Sequence, residues 1–139
     1  MPSEGTTILL AEDDIILAEL YTERLKQEGF NVLHAPNGED ALNMVREYIP
    51  SLLILDIMMP KMNGLDVLKA IKEDPKTQNI PVIIVTALVQ EIEKIKKMMT
   101  QADAYIVKSE VLPGEIIEEV KRRLEMAADG GAAAAKPAA

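Results

Sequence analysis

Short apolar runs alternate with longer amphipathic stretches between residues 6 and 126. Five of the apolar runs have the length of strands and are rich in β-branched and aliphatic residues. They cover residues 7–11, 31–35, 52–56, 82–86 and 104–108. Each run precedes a stretch with helical spacing, so the pattern predicts five βα units in an α/β fold with a doubly wound parallel sheet. Three runs are almost continuously apolar, as expected where helices cover both faces of a sheet.

Capping residues indicate where the predicted helices begin and end. The first helix is expected from about Asp14 to Glu28, before Gly29, which suits a left-handed C-cap. Its predicted apolar stripe consists of Leu17, Leu20, Tyr21 and Leu25. Asn37 can cap a second helix that reaches about Tyr48. The remaining three are expected at about 65–73, 92–99 and from Pro113 through Leu124.

Composition is consistent with one folded domain. Of the 139 residues, 48% are hydrophobic, enough for a core without disulfides or metal staples. We expect this domain to span residues 6–126. Residues 127–139 are rich in Ala and Gly without core-forming periodicity, which predicts a disordered tail or linker stub. Whether the chain acts alone or is a fragment of a longer protein stays open.

Charge and cysteine content exclude several function classes. The formal net charge of −8 argues against non-specific nucleic-acid binding, which needs a basic surface. The absence of Cys excludes disulfides, zinc thiolate sites and thiol nucleophiles. No secretory signal or run long enough to span a bilayer is visible. We therefore expect a cytoplasmic protein with no membrane contact.

Polar side chains follow four of the five predicted strands. Glu12, Asp13 and Asp14 follow the first strand, while Asp56, Thr86 and Lys108 end the third, fourth and fifth. The carboxyl ends of parallel strands meet at one edge of a sheet, where such folds place their functional groups. Taken singly, these residues also have ordinary explanations, and Asp14 in particular suits a helix cap.

Asp56 is the hardest of these residues to explain as a structural feature. Four apolar residues precede it and Ile57-Met58-Met59-Pro60 follows, so its carboxylate needs a compensating cation or donor. Bringing Glu12, Asp13 and Asp56 together adds repulsion that a hard divalent cation relieves, and oxygen ligands favour Mg²⁺. Lys108 and Thr86 suit an incoming phosphoryl group, as a point charge and a hydroxyl donor.

Four segments together resemble the receiver domain of two-component response regulators. They are Ile8-Leu9-Leu10-Ala11-Glu12-Asp13-Asp14, Leu55-Asp56-Ile57-Met58-Met59-Pro60-Lys61-Met62-Asn63-Gly64, Val85-Thr86-Ala87 and Asp103-Ala104-Tyr105-Ile106-Val107-Lys108. Each motif is weak alone, but their order and spacing make chance agreement improbable. The resemblance covers residues 6–126 and implies a flavodoxin-like (βα)₅ fold with strand order 2-1-3-4-5.

The resemblance also implies roles for individual residues. Asp56 would be the phosphoacceptor, and Thr86 and Lys108 would hold phosphoryl oxygens. Mg²⁺ would be bound directly by Asp13, Asp56 and the backbone carbonyl of Met58, and through water by Glu12. Thr86 and Tyr105 would form the switch. Such a protein is no enzyme in the usual sense, because it catalyses only its own phosphorylation and dephosphorylation.

Partners follow from the same resemblance. The phosphoryl donor would be a sensor histidine kinase or phosphotransfer protein, and the output a downstream protein that contacts the face of helix 4, strand 5 and helix 5. Helix 4 carries Lys94, Lys96 and Lys97, whereas helix 5 carries Glu115, Glu118 and Glu119. These are either two solvated faces or complementary surfaces of a dimer favoured by phosphorylation.

Four positions depart from the family pattern or have no role in it. Ser109 replaces the proline that usually follows the lysine, which predicts a trans peptide and an altered loop. Met58 and Leu88 lie two residues beyond Asp56 and Thr86, and their apolar side chains predict slow hydrolysis of the phosphorylated state. His34 is placed on or after an early strand, away from the predicted edge, and receives no chemical role.

Three other functions compete with this interpretation. A haloacid-dehalogenase-type phosphohydrolase would require a second Asp at the position of Met58. A flavodoxin-like nucleotide binder would need a phosphate-cradling loop where Glu12-Asp13-Asp14 stands. A pseudo-receiver, which acts as an interaction module without phosphorylation, stays open because of Ser109.

Overall fold

The computed structural model describes residues 5–87, 92–99, 103–108 and 112–128, apart from the side chain of residue 128. Five strands and five helices alternate along the chain. The strands are β1 (Thr7–Ala11), β2 (Asn31–Ala35), β3 (Leu52–Asp56), β4 (Val82–Thr86) and β5 (Ala104–Val107). The helices are α1 (Ile15–Gln27), α2 (Gly38–Tyr48), α3 (Gly64–Glu73), α4 (Ile92–Met98) and α5 (Pro113–Ala128).

The strands form one parallel sheet in the order β2-β1-β3-β4-β5. This confirms the predicted doubly wound, flavodoxin-like α/β fold. The first four strand ranges are as predicted, whereas β5 ends at Val107, so Lys108 follows the strand. The central strands β3 and β4 are buried at every position, as their continuous apolar runs require.

Alternate residues of the strands pack into two cores, one on each face of the sheet. Leu9, Leu53 and Ile84 face the core formed with α2, α3 and Ile95 of α4. Ile8, Ile54 and Ile83 face the core formed with α1 and α5. The sheet is therefore the middle of three layers.

Most predicted helix ends are confirmed, with local corrections. Asp14 and Asn37 cap α1 and α2 through their side chains, and Gly29 adopts a positive φ of 92° after α1. The predicted apolar stripe of α1 is wrong at Leu20, which is 38% exposed while Ala18 is buried in its place. A pitch of 3.6 residues brings Ala18, Tyr21 and Leu25 to one face.

The predictions about the tail, Ser109 and Leu88 concern residues that lie partly or wholly outside the described part of the chain. Helix α5 continues to Ala128, into the predicted tail, and residues from 129 onward lie outside the described part. The predictions about Ser109 and Leu88 also fall on undescribed residues. No helix among the described residues is long and apolar enough to cross a membrane.

Candidate functional site

Three carboxylates meet at the carboxyl edge of β1 and β3. Oxygen atoms of Glu12, Asp13 and Asp56 all lie within 4.8 Å of one another. Glu12 and Asp56 are 2% and 4% exposed, whereas Asp13 is exposed. The cluster therefore combines two buried acids with one acid that is exposed to solvent.

Lys108 supplies the cation of the cluster. Its Nζ lies 2.9 Å from Oδ2 of Asp56 and 3.3 Å from Oε1 of Glu12. Lys108 follows β5, two strands away from Asp56 in β3, so its long side chain must cross the end of β4 to reach the acids. Burial opposes the charged ammonium, but the hydrogen bond and charge of Asp56, with those of Glu12, outweigh burial and raise the Lys108 pKa.

The electrostatics leave Glu12 poorly compensated. Burial, followed by the charge of Asp56, raises the Glu12 pKa from 4.5 to about 7. The Asp14 N–H, which donates to Oε2 of Glu12 at 3.2 Å, and the Lys108 ammonium offset only part of this rise. A site that holds one ammonium against three carboxylates is short of positive charge.

Backbone geometry orients Asp56. The Met58 N–H donates to Oδ1 of Asp56 at 3.1 Å, while Lys108 holds the other oxygen. The Gly64 N–H donates to the Ile57 carbonyl at 2.8 Å, and a Cβ on Gly64 would lie 2.4 Å from the Asp56 carbonyl oxygen. Only glycine permits α3 to begin this close to the carboxylate-bearing segment.

Thr86, Tyr105 and Met58 surround the cluster in different ways. Thr86 ends β4 fully buried and pairs in register with Val107, directly before Lys108. Tyr105 is the second residue of β5 and is half-buried against the α2–α3 core. Nζ of Lys96 lies 5.7 Å from the centroid of its ring. The Met58 side chain is 56% exposed and lines a groove of about 540 Å³ beside Asp13.

Two residues differ from their predicted surroundings. His34 reaches the carboxyl edge, because its Nε2 lies 2.7 Å from the Glu12 carbonyl oxygen; the prediction that it lies away from this edge is wrong. Glu119 is not part of an exposed acidic face: it is buried and paired with Arg123 at 2.6 Å and Arg122 at 2.9 Å. Both were missed because strand alternation and helical spacing do not reveal how far a side chain extends.

Comparison with known proteins agrees with this geometry. The response regulator receiver domain family matches residues 8–121. The transcriptional regulatory protein CpxR of Escherichia coli K12 is 45% identical over 101 residues, which cover 73% of this chain and 42% of CpxR. The DNA-binding response regulator MtrA of Mycobacterium tuberculosis H37Rv is 37% identical over 84% of this chain and 50% of MtrA. The chain thus spans half or less of the length of these curated relatives.

Solved structures show the same fold. The response regulator TrrA of Thermotoga maritima, crystallised with Mg²⁺ and BeF, has a TM-score of 0.73 and 32% identity over 85% of this chain and 98% of TrrA. The receiver domain of a signal transduction histidine kinase from Syntrophus aciditrophicus has a TM-score of 0.78 and 29% identity, covering 86% of this chain and 90% of that one. With the acidic cluster, its lysine and the 2-1-3-4-5 sheet in place, these matches establish that the chain belongs to the response regulator receiver domain family.

Proposed function

We propose that this domain, residues 6–126, accepts a phosphoryl group on Asp56 in a two-component phosphorelay. One observation carries the proposal. The Asp56 carboxylate is buried and hydrogen-bonded to the Met58 N–H and the Lys108 ammonium, beside two further carboxylates. Such an arrangement holds a carboxylate in place as a nucleophile. One ammonium does not balance the charge of three carboxylates, so a further cation would complete the arrangement.

The proposed reaction transfers the group from a phosphohistidine. An oxygen of Asp56 attacks the phosphorus, a P–O bond forms and the P–N bond breaks. The imidazole leaves with the bonding electron pair and takes up a proton, so the product on the protein is an acyl phosphate. Lys108 lies close enough to offset charge on the transferred group, and Thr86 is proposed to hold another phosphoryl oxygen. On this proposal the domain catalyses only its own phosphorylation and dephosphorylation.

The donor set suits Mg²⁺. Three carboxylates within 4.8 Å and a Glu12 pKa of about 7 describe a site that a hard divalent cation would stabilise. We propose that Asp13, Asp56 and the Met58 carbonyl bind Mg²⁺ directly and that Glu12 binds it through water. When bound, Mg²⁺ neutralises negative charge on the transferring phosphoryl group. The TrrA relative was crystallised with this cation.

Thr86 and Tyr105 form the proposed switch. A phosphoryl oxygen on Asp56 would draw the Thr86 hydroxyl inward and free space for the half-buried Tyr105. The ring would then move inward, and the face of α4, β5 and α5 would repack for a downstream protein partner or a second copy of the chain. The exposed Lys94, Lys96 and Lys97 of α4 and Glu115 and Glu118 of α5 support complementary dimer surfaces.

Exposed apolar residues of helix α1 support a protein as the phosphoryl donor. Ile15, Ile16 and Leu20 are 67%, 79% and 38% exposed on the helix that follows Glu12, Asp13 and Asp14. Apolar side chains exposed beside a reactive carboxylate favour contact with a protein surface. We propose that a sensor histidine kinase or phosphotransfer protein contacts this helix.

We propose a cytoplasmic location, where a kinase's phosphohistidine is accessible, and no nucleic-acid contact by this domain. The net charge of −8 opposes the phosphate backbone. CpxR and MtrA are named as transcriptional or DNA-binding regulators, but the match covers half of their length or less.

Incubation with acetyl phosphate and Mg²⁺, followed by intact-mass measurement, tests the proposal. Wild-type protein should gain one phosphoryl group, and Asp56→Asn should gain none. Asp66→Asn is the matched control and should leave the adduct unchanged, because Asp66 is an exposed acid in the first turn of α3.

A wild-type chain that forms no adduct with acetyl phosphate or phosphoramidate would contradict the proposal. That result would favour the pseudo-receiver, in which Lys108 permanently compensates Asp56 and the domain acts through contacts alone. An adduct that persists in Asp56→Asn would instead place the phosphoacceptor at another residue.

A further inference from the structure

The backbone of Glu12 continues the β1–β2 ladder by one residue beyond the end of β1. Its N–H donates to the Ala35 carbonyl at 3.1 Å. Its carbonyl oxygen lies 2.7 Å from Nε2 of His34. A carbonyl oxygen only accepts, so the imidazole is the donor. Edge strand β2 therefore holds the Glu12 backbone on both sides, once by its main chain and once by a side chain.

The imidazole takes the place of a missing backbone donor. Ala11 pairs with Ala35, and because the Glu12 N–H donates to the Ala35 carbonyl, a continued parallel ladder would bring the Asn37 N–H to the Glu12 carbonyl. Strand β2 ends at Ala35, before this bond can form. Asn37 then caps α2. No backbone N–H among the described residues donates to the Glu12 carbonyl. His34 thus supplies the hydrogen bond that the strand itself no longer offers.

The contact controls a peptide plane between two acids. The Glu12 carbonyl belongs to the planar unit that includes the Asp13 nitrogen. Its direction therefore sets ψ of Glu12 and φ of Asp13, and with them the directions in which both side chains leave the backbone. The Glu12 side chain is already held through Oε2 by the Asp14 N–H and through Oε1 by Lys108. Its backbone N–H donates to Ala35, so the backbone carbonyl is the remaining polar group of Glu12.

We propose that His34 is a positioning residue for the divalent-cation site. Its Nε2–H fixes the Glu12–Asp13 peptide plane so that both carboxylates stay close to that of Asp56. The proposal rests on the Mg²⁺ site proposed above and assigns that site a partner outside its ligands. Partners of this kind typically change metal affinity by about 10- to 100-fold when removed. The ring lies in an open groove between α1 and β2, where water can partly replace it, so the lower end is expected.

Calorimetric titration of Mg²⁺ into the metal-free chain tests the proposal without any phosphorylation step. His34→Val keeps a strand-forming side chain but removes the donor, and should raise the Kd for Mg²⁺ about tenfold. His34→Gln returns an N–H at a similar distance from the backbone. Its Kd for Mg²⁺ should therefore lie within about threefold of the wild-type value, compared with about tenfold for His34→Val. Asn31→Val, at another exposed position of β2, is the matched control and should leave the Kd unchanged.

A second measurement needs no metal. Amide ¹⁵N shifts of Glu12 and Asp13 in the metal-free protein should change in His34→Val, return towards wild type in His34→Gln and stay constant in Asn31→Val. An unchanged Kd in His34→Val, or a Gln variant as weak as the Val variant, would overturn the proposal. A wild-type chain that binds no Mg²⁺ would overturn it as well.

These outcomes are separable from those for Asp56. If the wild type binds Mg²⁺ but gains no phosphoryl group, the proposed function fails while the His34 series still decides its own question. If Asp56 is phosphorylated normally and the His34 variants show wild-type Kd values, the function stands and the positioning role fails.

Discussion

The molecule contains two lysine–carboxylate clusters at opposite ends of its sheet. At the amino end, Lys72 lies 2.7 Å from Asp103, and Asp103 also accepts the Val82 N–H at 2.7 Å. At the carboxyl end, Lys108 lies between Asp56 and Glu12, with Asp13 beside them. Among the described residues, the first cluster pairs the Lys72 ammonium with the Asp103 carboxylate, and the second sets one ammonium against three carboxylates.

The difference in charge balance separates a structural cluster from the cluster proposed to be functional. Asp103 is fully buried, and Lys72 also lies within 3.4 Å of the carbonyls of Gln78 and Ile80. This cluster joins the end of α3 to the starts of β4 and β5. At the carboxyl end, burial and then the negative charge of Asp56 raise the Glu12 pKa, and the three carboxylates are left short of positive charge. Because buried acids lie at both ends of the sheet, the comparison teaches that uncompensated charge, rather than burial, distinguishes the end proposed to be functional.

The largest expected effect concerns the balanced cluster. Asp103→Ala leaves the Lys72 ammonium nearly buried without its carboxylate and should lower the free energy of unfolding by about 3–5 kcal/mol. Urea denaturation measures the loss, and Mg²⁺ affinity of the folded variant should stay at the wild-type value. The double variant Lys72→Met/Asp103→Leu removes both charges and should recover part of the stability. A loss below about 1 kcal/mol in Asp103→Ala would show that this pair does not hold the sheet ends together.

A smaller effect is expected from the unbalanced cluster, through pH. Glu12 has a folded pKa of about 7 against 4.5, so between these values the folded state binds more protons than the unfolded state. Stability of the metal-free protein should therefore fall as pH rises from about 4.5 to 7, by at most ~1.4 kcal/mol per pH unit.

Urea denaturation in EDTA from pH 5 to 8 measures this slope. Glu12→Gln should flatten it, because the titrating group is gone, and saturating Mg²⁺ at pH 8 should restore stability by binding only the folded state. If the pH dependence of stability is unchanged in Glu12→Gln, it arises from other groups. That result would contradict the charge imbalance inferred for the carboxyl-end cluster.

A further prediction concerns water access to the unbalanced cluster. Met58 and Leu88 are apolar, and introducing Met58→Asn with Leu88→Glu should shorten the lifetime of the phosphorylated state about tenfold, equal to ~1.4 kcal/mol of barrier. Decay of the phosphorylated mass after removal of the donor measures the rate. Leu112→Asn, at a leucine that is 69% exposed, serves as the control. An unchanged lifetime in the double variant would refute the prediction of slow hydrolysis.

The smallest effect is expected from a lysine in neither cluster. Lys96 is exposed and lies over the Tyr105 ring at 5.7 Å, so Lys96→Met should change the free energy of unfolding by less than about 1 kcal/mol. Lys97→Met, at the next exposed position of α4, should change it less still. Urea denaturation of both variants measures what exposed cations contribute, for comparison with the partly buried Lys72 and Lys108. A Lys96 effect as large as that of Asp103→Ala would contradict the distinction between balanced burial and exposure.

Much of the fold could be predicted because its determinants are local. Continuous apolar runs identify buried strands, and Asp14 and Asn37 mark helix starts through bonds to nearby N–H groups. Leu20 was misplaced because an apolar residue at approximate helical spacing can face solvent when a smaller one, Ala18, fits the core better.

The candidate site was predictable only in part. The strand-end rule by itself places Glu12, Asp13, Asp56 and Lys108 at one edge of the sheet. The contact of His34 with the Glu12 carbonyl and the burial of Glu119 against Arg123 depend on side-chain reach across elements distant in sequence. The partner for Asp103, Lys72, likewise required the packing of α3 against the sheet.

The sequence by itself determined the alternation of strands and helices, the acidic and basic residues at the strand ends, and the family resemblance that these carry. These follow from periodicity and spacing, which act along the chain. Only the tertiary structure decided which lysine meets which carboxylate, and therefore which cluster is balanced. That outcome depends on distances of a few ångströms between residues far apart in sequence, where Coulomb energy and desolvation change steeply.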